Sequence, residues 1–401
     1  VDPLVTPAEV SAAAQVLAGV ARVTPLEGSR ALSDRVGGPV LLKCENLQRT
    51  GSFKIRGAYL RIARLTERER SRGVVAASAG NHGQGVALAA SLLGAAATVF
   101  MPRGATLPKI EATRSYGARV VIAGDDIEQA LESAAELAAA QGSTLIHPFD
   151  HRDVIAGQGT VGREIVEQCP QVRTVVVCTG GGGLVSGIAA ALAGRSPAVR
   201  VVAAQAAGAG AWAPSLAAGH PVRLASTATI ADGIAVALPG QLTFAHVAAL
   251  VDRVVEVSDE DISAALLLLL ERAKLVVEPA GAAGVAAVIR RPQDFEPPVV
   301  CVLSGGNVDP LLLNRVIRHG LVAAGRYLAL RVTIPDVPGS LAGLLEVLGE
   351  VAANVLDVSH LRMQGELIFG EVEVSVQLET RGPEHAAEVT AGLLAAGYRV
   401  R

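Results

Sequence analysis

Lys54 brings a reactive amine to this chain at a point where the surrounding residues could put it to use. It stands in the stretch Thr50-Gly51-Ser52-Phe53-Lys54-Ile55-Arg56-Gly57-Ala58, and the whole chain holds only four lysines, Lys43, Lys54, Lys109 and Lys274. Arginine supplies nearly all the remaining positive charge. An arginine stays protonated and cannot form a Schiff base. A lysine amine can, once its pKa is lowered or a carbonyl partner is held beside it. Gly51 breaks the chain, Ser52 can cap, and Ile55, Ala58 and Tyr59 begin an apolar stripe, so Lys54 is expected at a helix N-terminus. The helix dipole disfavours a protonated amine there.

Three other stretches could bind charge. Ser78-Ala79-Gly80-Asn81-His82-Gly83-Gln84-Gly85 lies between a strand-like and a helix-like segment, where backbone N–H groups can converge on an anion. Thr179-Gly180-Gly181-Gly182-Gly183-Leu184 follows a run of valines and precedes a helix of small residues, a setting that suits a phosphate. It could also be a dinucleotide-binding turn, but that reading wants an acid about twenty positions on, and residues 201–210 contain none. Leu303-Ser304-Gly305-Gly306-Asn307 follows another apolar segment and by itself reads as a turn.

The elements that must position these residues alternate. Strand-like segments fall at 40–43, 73–77, 97–101, 119–122, 144–147, 173–178, 199–204 and 298–303. Helical patterns lie between them, at 80–93 and 127–141 among others. Strand–helix alternation of this kind predicts an α/β fold with parallel sheets covered on both faces, and the valine-rich strands are apolar throughout, as buried parallel strands are. Leu266–Leu270 lies in a stretch bounded by acids and a base and reads as a buried helix, not a membrane span. From residue 326 the plan changes to strand, helix, two strands, helix, strand, the ferredoxin-like order. Its strands are expected at 327–334, 355–363, 370–379 and 398–401, with a turn near Gly365, and its helices at 338–353 and 383–396.

The Lys54 stretch resembles the cofactor-lysine motif of threonine dehydratases, which are fold-type II pyridoxal 5'-phosphate enzymes. Threonine synthases are similar but usually carry Asp where this chain has Ile55. The resemblance implies a catalytic region over residues 1–325, made of two parallel-sheet subdomains with the smaller one, about 43–150, inserted. It implies that Lys54 holds the cofactor aldehyde and acts as the catalytic base, with Phe53 against the cofactor ring. Ser78, Ala79, Gly80, Asn81 and His82 would frame the substrate carboxylate, Asn81 also bonding the phenolic oxygen of the cofactor. Gly180, Gly181, Gly182, Gly183 and Leu184 would take the phosphate. Gly233, in Asp232-Gly233, would lie close to the ring, and Ser304 would bond its nitrogen. Glu278-Pro279-Ala280-Gly281 also resembles a signature near the cofactor. The implied reaction is β-elimination from L-threonine to 2-oxobutanoate and ammonia, with L-serine giving pyruvate. Serine dehydratases and serine racemases share the fold, but the racemases carry a serine, their second acid/base group, where this chain has Ala79.

Residues 334–341, Ile334-Pro335-Asp336-Val337-Pro338-Gly339-Ser340-Leu341, resemble the first strand-to-helix loop of ACT domains. The resemblance implies an ACT-like regulatory domain over 326–401, isoleucine and valine as candidate effectors, and a homodimer or homotetramer. A plain dimerisation module is the alternative.

Composition narrows the rest. The net charge of −3 and pI near 6.3 make no electrostatic case for nucleic acid or a membrane as partner. The four cysteines, Cys44, Cys169, Cys178 and Cys301, are scattered and read as buried thiols of a reducing cytoplasm; no signal peptide is expected. No metal-binding spacing appears. Relatives often bind a cation after the strand equivalent to 201–204, yet Gln205 to Ala211 hold no acid. His147 and His151 read as loop residues.

Overall fold

The computed structural model describes residues 3–361 and 369–401. The turn expected near Gly365 and the end of the strand expected to reach Met363 lie outside the described residues. The chain divides into two units, Val1–Pro310 and Leu311–Arg401.

The first unit holds two sheets. Its strands are β1 (Leu26–Gly28), β2 (Val40–Lys43), β3 (Val74–Ala77), β4 (Ala97–Met101), β5 (Arg119–Ile122), β6 (Thr144–Leu145), β7 (Thr174–Cys178), β8 (Arg200–Ala206), β9 (Arg253–Val257) and β10 (Val299–Val302). The larger sheet runs in the order β1-β2-β10-β7-β8-β9 and the smaller in the order β5-β4-β3-β6. All neighbours pair in parallel except β1 with β2. The small sheet is inserted in the chain between β2 and β7, two neighbours but one in the large sheet. Every residue of β3, β7 and β10 is buried, which is why these strands are apolar on both faces. β6 is shorter than the segment 144–147 expected from sequence. The Ile146 carbonyl turns to the His82 ring, 2.8 Å away, and Pro148 has no N–H to extend the ladder.

Glycines let three helices touch backbone to backbone. A Cβ on Gly157 would meet the Gly57 Cα at 2.7 Å, and one on Gly187 would meet the Ile155 carbonyl at 2.3 Å. The helix Lys54–Ala63 is thereby held against Arg152–Gln168, and that helix against Gly183–Leu192. Lys54 sits at the start of the first and the glycine run leads into the third.

The second unit has strands β11 (Tyr327–Pro335), β12 (Asn354–Leu361), β13 (Glu371–Glu379) and β14 (Arg399–Val400), ordered β12-β13-β11-β14 and antiparallel throughout. Helices Ser340–Glu350 and Pro383–Ala395 complete the ferredoxin-like order. Leu344, Leu348, Val389 and Leu393 from these helices share one core with Val332, Ile334, Val374 and Val376 from the strands. The division between units falls at 310/311, earlier than the 325/326 read from sequence. All but the first residue of the helix Pro310–Ala323 goes with the second unit, and the segment after it is tied there. The Arg326 N–H donates to the Leu321 carbonyl (2.8 Å), and Thr380 donates to Arg326 (3.1 Å) and Gly325 (2.5 Å). Among the described residues no helix is long and apolar enough to cross a membrane.

Candidate active site

Lys54 opens the helix Lys54–Ala63, but Ser52 does not cap it. The cap position is Phe53, which has helical backbone angles and makes no side-chain cap bond. Ser52 is extended (φ −163°, ψ 161°) and forms a β-bridge with Gly305. Its Oγ is buried and has no hydrogen-bond partner among the described residues. The Phe53 N–H donates to the Ser304 carbonyl at 3.1 Å, which staples the helix start to the loop after β10. The Lys54 Nζ donates to the Pro148 carbonyl at 3.0 Å and lies 5.1 Å from the centroid of the Phe53 ring. Burial brings its amine down to about 8; the Glu278 carboxylate opposes this only in part.

The loop after β3 runs through Ser78, Ala79 and Gly80 into the helix Asn81–Leu92. The Ser78 hydroxyl accepts from the Gly80 N–H at 3.1 Å. Asn81 is held from both sides. Its Nδ2 donates to Glu278 Oε1 at 2.6 Å, and its Oδ1 accepts from Asn307 Nδ2 at 2.8 Å. Asn307 Nδ2 also donates to the Thr50 carbonyl at 2.6 Å. Sequence reasoning gave Asn307 no role of its own and left Glu278 as a bare resemblance; nothing local marks residues more than 190 positions from Asn81 as its partners. His82 is driven down to about 3 by burial and by the Lys54 charge. It is therefore neutral, and since a carbonyl can only accept, its Nε2 carries the proton and donates to Ile146.

Burial, then Asp232, pushes the Glu278 carboxyl up to about 7, against the pull of its bond from Asn81. A carboxyl raised above its unfolded value binds protons in the folded state between about 4.5 and 7, so its charge costs stability above that window. Glu278→Gln should therefore melt higher than the parent at pH 8, with the difference vanishing near pH 4.5. Melting curves at the two pH values check this; a lower melting temperature at pH 8 would contradict it.

The glycine run lies between β7 and the helix Gly183–Leu192. Its carbonyls are pinned: Trp212 Nε1 donates to Gly180 and Thr243 Oγ1 to Gly181, both at 2.7 Å. Among the described residues, no protein group accepts from the N–H groups of Gly180, Gly181, Gly182, Gly183 or Leu184. They form a cradle of free donors at a helix N-terminus, as an anion site requires. The reason for glycine differs from the one sequence suggests. Added Cβ atoms would strike Phe149 from Gly181 (2.4 Å), Trp212 from Gly182 (2.6 Å) and Ile234 from Gly180 (2.8 Å). The missing side chains make room for protein packed behind the loop. Gly182 also has φ +96°, a conformation that favours glycine.

Ser304 is buried beside Cys178, whose thiol burial pushes up to about 11 while the neighbouring Ser304 side chain pulls it down. Gly233 sits against Ala280, whose Cβ an added methyl would meet at 2.9 Å. Lys109, from the helix after β4, pairs with Asp232 at 2.8 Å. The loops after β3, β7 and β10 and the start of the lysine helix thus share one region at the C-terminal ends of parallel strands, where open α/β sheets bind ligands. An electrophilic aldehyde suits the half-buried amine, a phosphate suits the N–H cradle, and the unpaired Ser52 hydroxyl leaves a donor for a guest. Pyridoxal phosphate meets all three. Gln205 lies within β8, one residue from its end. Its Oε1 accepts from the Trp212 N–H at 3.2 Å and its Nε2 is buried without a partner among the described residues.

The L-threonine ammonia-lyase of Thermotoga maritima is 46% identical over 398 residues, covering 99% of each chain. The solved structure of threonine deaminase isoform 2 from Solanum lycopersicum superposes with a TM-score of 0.75 at 36% identity, over 79% of this chain and 87% of that one. Maize serine racemase gives the same score and identity, over 80% of this chain and 99% of its own. Residues 17–305 match the profile described as pyridoxal-phosphate dependent enzyme, and the chain belongs to that family.

Proposed function

We propose that this chain is an L-threonine ammonia-lyase that converts L-threonine to 2-oxobutanoate and ammonia, and L-serine to pyruvate and ammonia. The observation that carries the reading is the Lys54 amine, brought down to about 8 beside a cradle of free N–H groups. Identity of 46% along almost the whole length to an ammonia-lyase of that name supports it.

Lys54 would hold the aldehyde of the cofactor, and Gly180 to Leu184 its phosphate. Phe53 and Gly233 would lie along the ring, Asn81 would bond the phenolic oxygen, and Ser304 the ring nitrogen. Bound there, pyridoxal phosphate ties up the substrate amino group and delocalises the electron pair left when the Cα–H bond breaks. The Ser78–His82 loop holds the substrate carboxylate. Lys54 Nζ, displaced by the substrate amine, takes the Cα proton; an amine near 8 is neutral often enough to do so at working pH. The Pro148 carbonyl accepts from Nζ and fixes where it points. The β-hydroxyl leaves as water with the proton that Lys54 Nζ took from Cα, and the enamine left behind tautomerises to an imine, whose hydrolysis releases the keto acid and ammonia.

The rate at which cofactor-free protein captures pyridoxal phosphate should rise through pH 8, because only the neutral amine attacks. Stopped-flow absorbance across pH 6.5–10 checks this; a midpoint near the ordinary lysine value of 10.5 would contradict it. The reaction itself is tested by measuring 2-oxobutanoate and ammonia from L-threonine. Equal amounts of both are expected, and neither product from a cofactor-loaded chain would refute the assignment. Racemisation is the second reading, from the fold shared with serine racemase. Ala79 has no proton to give at the position of the racemases' second acid, so unreacted L-serine should stay free of the D-isomer.

The second unit we assign as an ACT-like sensor, on its ferredoxin-like topology and on the loop at 336–341, where Gly339 (φ +94°) leads into the helix Ser340–Glu350. Isoleucine and valine are the candidate effectors and a homodimer or homotetramer the expected assembly. Four buried free thiols suit a cytoplasmic setting.

A further inference from the structure

Two residues beyond Lys54, on the first turn of the same helix, Arg56 is buried with 1% of its surface exposed. All five of its N–H donors are used. Nε and Nη2 form a fork on the two oxygens of Glu45, each at 2.8 Å. Nη1 donates to Glu164 Oε1 at 2.6 Å and to Thr160 Oγ1 at 3.0 Å. The second hydrogen of Nη2 goes to the Arg22 carbonyl at 3.1 Å. Glu45 and Glu164 are themselves buried and shared: Thr24 Oγ1 donates to Glu45 at 2.6 Å, and Lys43 Nζ to Glu164 at 2.6 Å. Lys43 spends its other two donors on the Thr24 carbonyl and Gln168 Oε1.

No part of this network enters the chemistry described above. Its place in the fold is nevertheless specific. The first turn of the lysine helix has no side-chain cap; the Phe53–Ser304 bond holds its start, the Gly57 N–H donates to Gln158 Oε1 at 3.3 Å on the helix packed against it, and the Arg56 fork ties it to two further carboxylates. The fork reaches the segment after β2 through Glu45 and the helix Arg152–Gln168 through Glu164. These are the parts of the large subdomain between which the turn must sit.

We propose that Arg56 is a positioning residue for Lys54: its guanidinium locks the first helical turn to Glu45 and Glu164 and thereby sets where Nζ lies. This rests on the role assigned to Lys54 above. A lysine at position 56 would keep the charge but offer three donors on a single nitrogen, too few to span both carboxylates in one plane. A misplacement of the reacting amine by about 1 Å costs on the order of 10²-fold in rate.

The test compares Arg56→Lys with Lys43→Gln, which damages the same buried network from β2 without touching Arg56. Three quantities are read for each: the melting temperature, the rate of pyridoxal phosphate capture by cofactor-free protein, and kcat and KM for L-threonine. Arg56→Lys should slow capture and lower kcat by about 10²-fold, with KM changed by less than about threefold. Lys43→Gln should lower the melting temperature as much or more, yet capture the cofactor and turn over within about threefold of the parent. If Arg56→Lys does not fold, Glu45→Gln gives the same reading from the other end of the fork, with a loss of about tenfold expected in capture and kcat. Parent-like capture and kcat in Arg56→Lys, or in Glu45→Gln where that variant stands in, would overturn the proposal. So would losses in Lys43→Gln equal to those at Arg56. Failure of the parent itself to capture the aldehyde at Lys54 would instead remove the Lys54 assignment, and the proposal with it.

Discussion

Lys54→Ala should lose threonine turnover by ~10⁴-fold or more, since on the proposed mechanism the variant lacks both the amine for the cofactor aldehyde and the base for the Cα proton. The visible band that the parent develops with pyridoxal phosphate should be absent. The variant should not be a folding casualty. An amine whose pKa is lower folded than unfolded binds fewer protons in the folded state between about 8 and 10.5. Its charge therefore weighs against the fold below pH 8, and stability grows as pH rises through that window. Removing the amine takes away this burden and one hydrogen bond to Pro148. At pH 7 the melting temperature should thus be equal to or above that of the parent. A variant that melts well below the parent would mean that Lys54 supports the fold. Normal turnover would mean that another residue does the chemistry.

Gly181→Ala should weaken cofactor binding by about 10²-fold, or about 2.7 kcal/mol. The new Cβ would sit 2.4 Å from two atoms of the Phe149 ring, far inside any tolerated contact, and forcing a packed group aside costs about 1–3 kcal/mol or more. Two routes of relief exist and both damage the site. If the loop moves, the N–H cradle at 180–184 loses its shape. If Phe149 moves, it pulls on Pro148, whose carbonyl holds the Lys54 Nζ. Titration of cofactor-free protein with pyridoxal phosphate, followed by absorbance, measures the loss. Unchanged affinity would show that the 180–184 N–H groups are not the phosphate site.

Much of this arrangement was legible in the sequence. Lys54, the Ser78–His82 loop, the glycine run and Ser304 each stand beside a local break in pattern, a glycine or a strand end, and the structure brings them to one region. Several strands fall where the apolar runs predict, β2, β4 and β5 to the residue, because a buried parallel strand writes its burial into consecutive residues. Other features left no local trace. β9 is an edge strand, only partly buried, so its pattern is weak. Ser52 stands where a cap would, yet its backbone bridges to Gly305 and it makes no cap bond. The Pro148 carbonyl on Lys54 is a backbone atom with no side-chain signature. The Lys43–Glu164 and Arg56–Glu45 pairs join residues as much as 121 positions apart, and in sequence each member looks like an ordinary surface charge. The helix Pro310–Ala323 reads in sequence as part of the region 1–325, whereas the chain divides into units at 310/311.

The scarcity of lysine makes one measurement decisive for the central claim. Protein loaded with pyridoxal phosphate is reduced with borohydride, digested, and the pyridoxyl-bearing peptide located by mass spectrometry. The account predicts the label on Lys54 and none on Lys43, Lys109 or Lys274. A label on one of those three with Lys54 unmodified, or no label on any lysine, would contradict it.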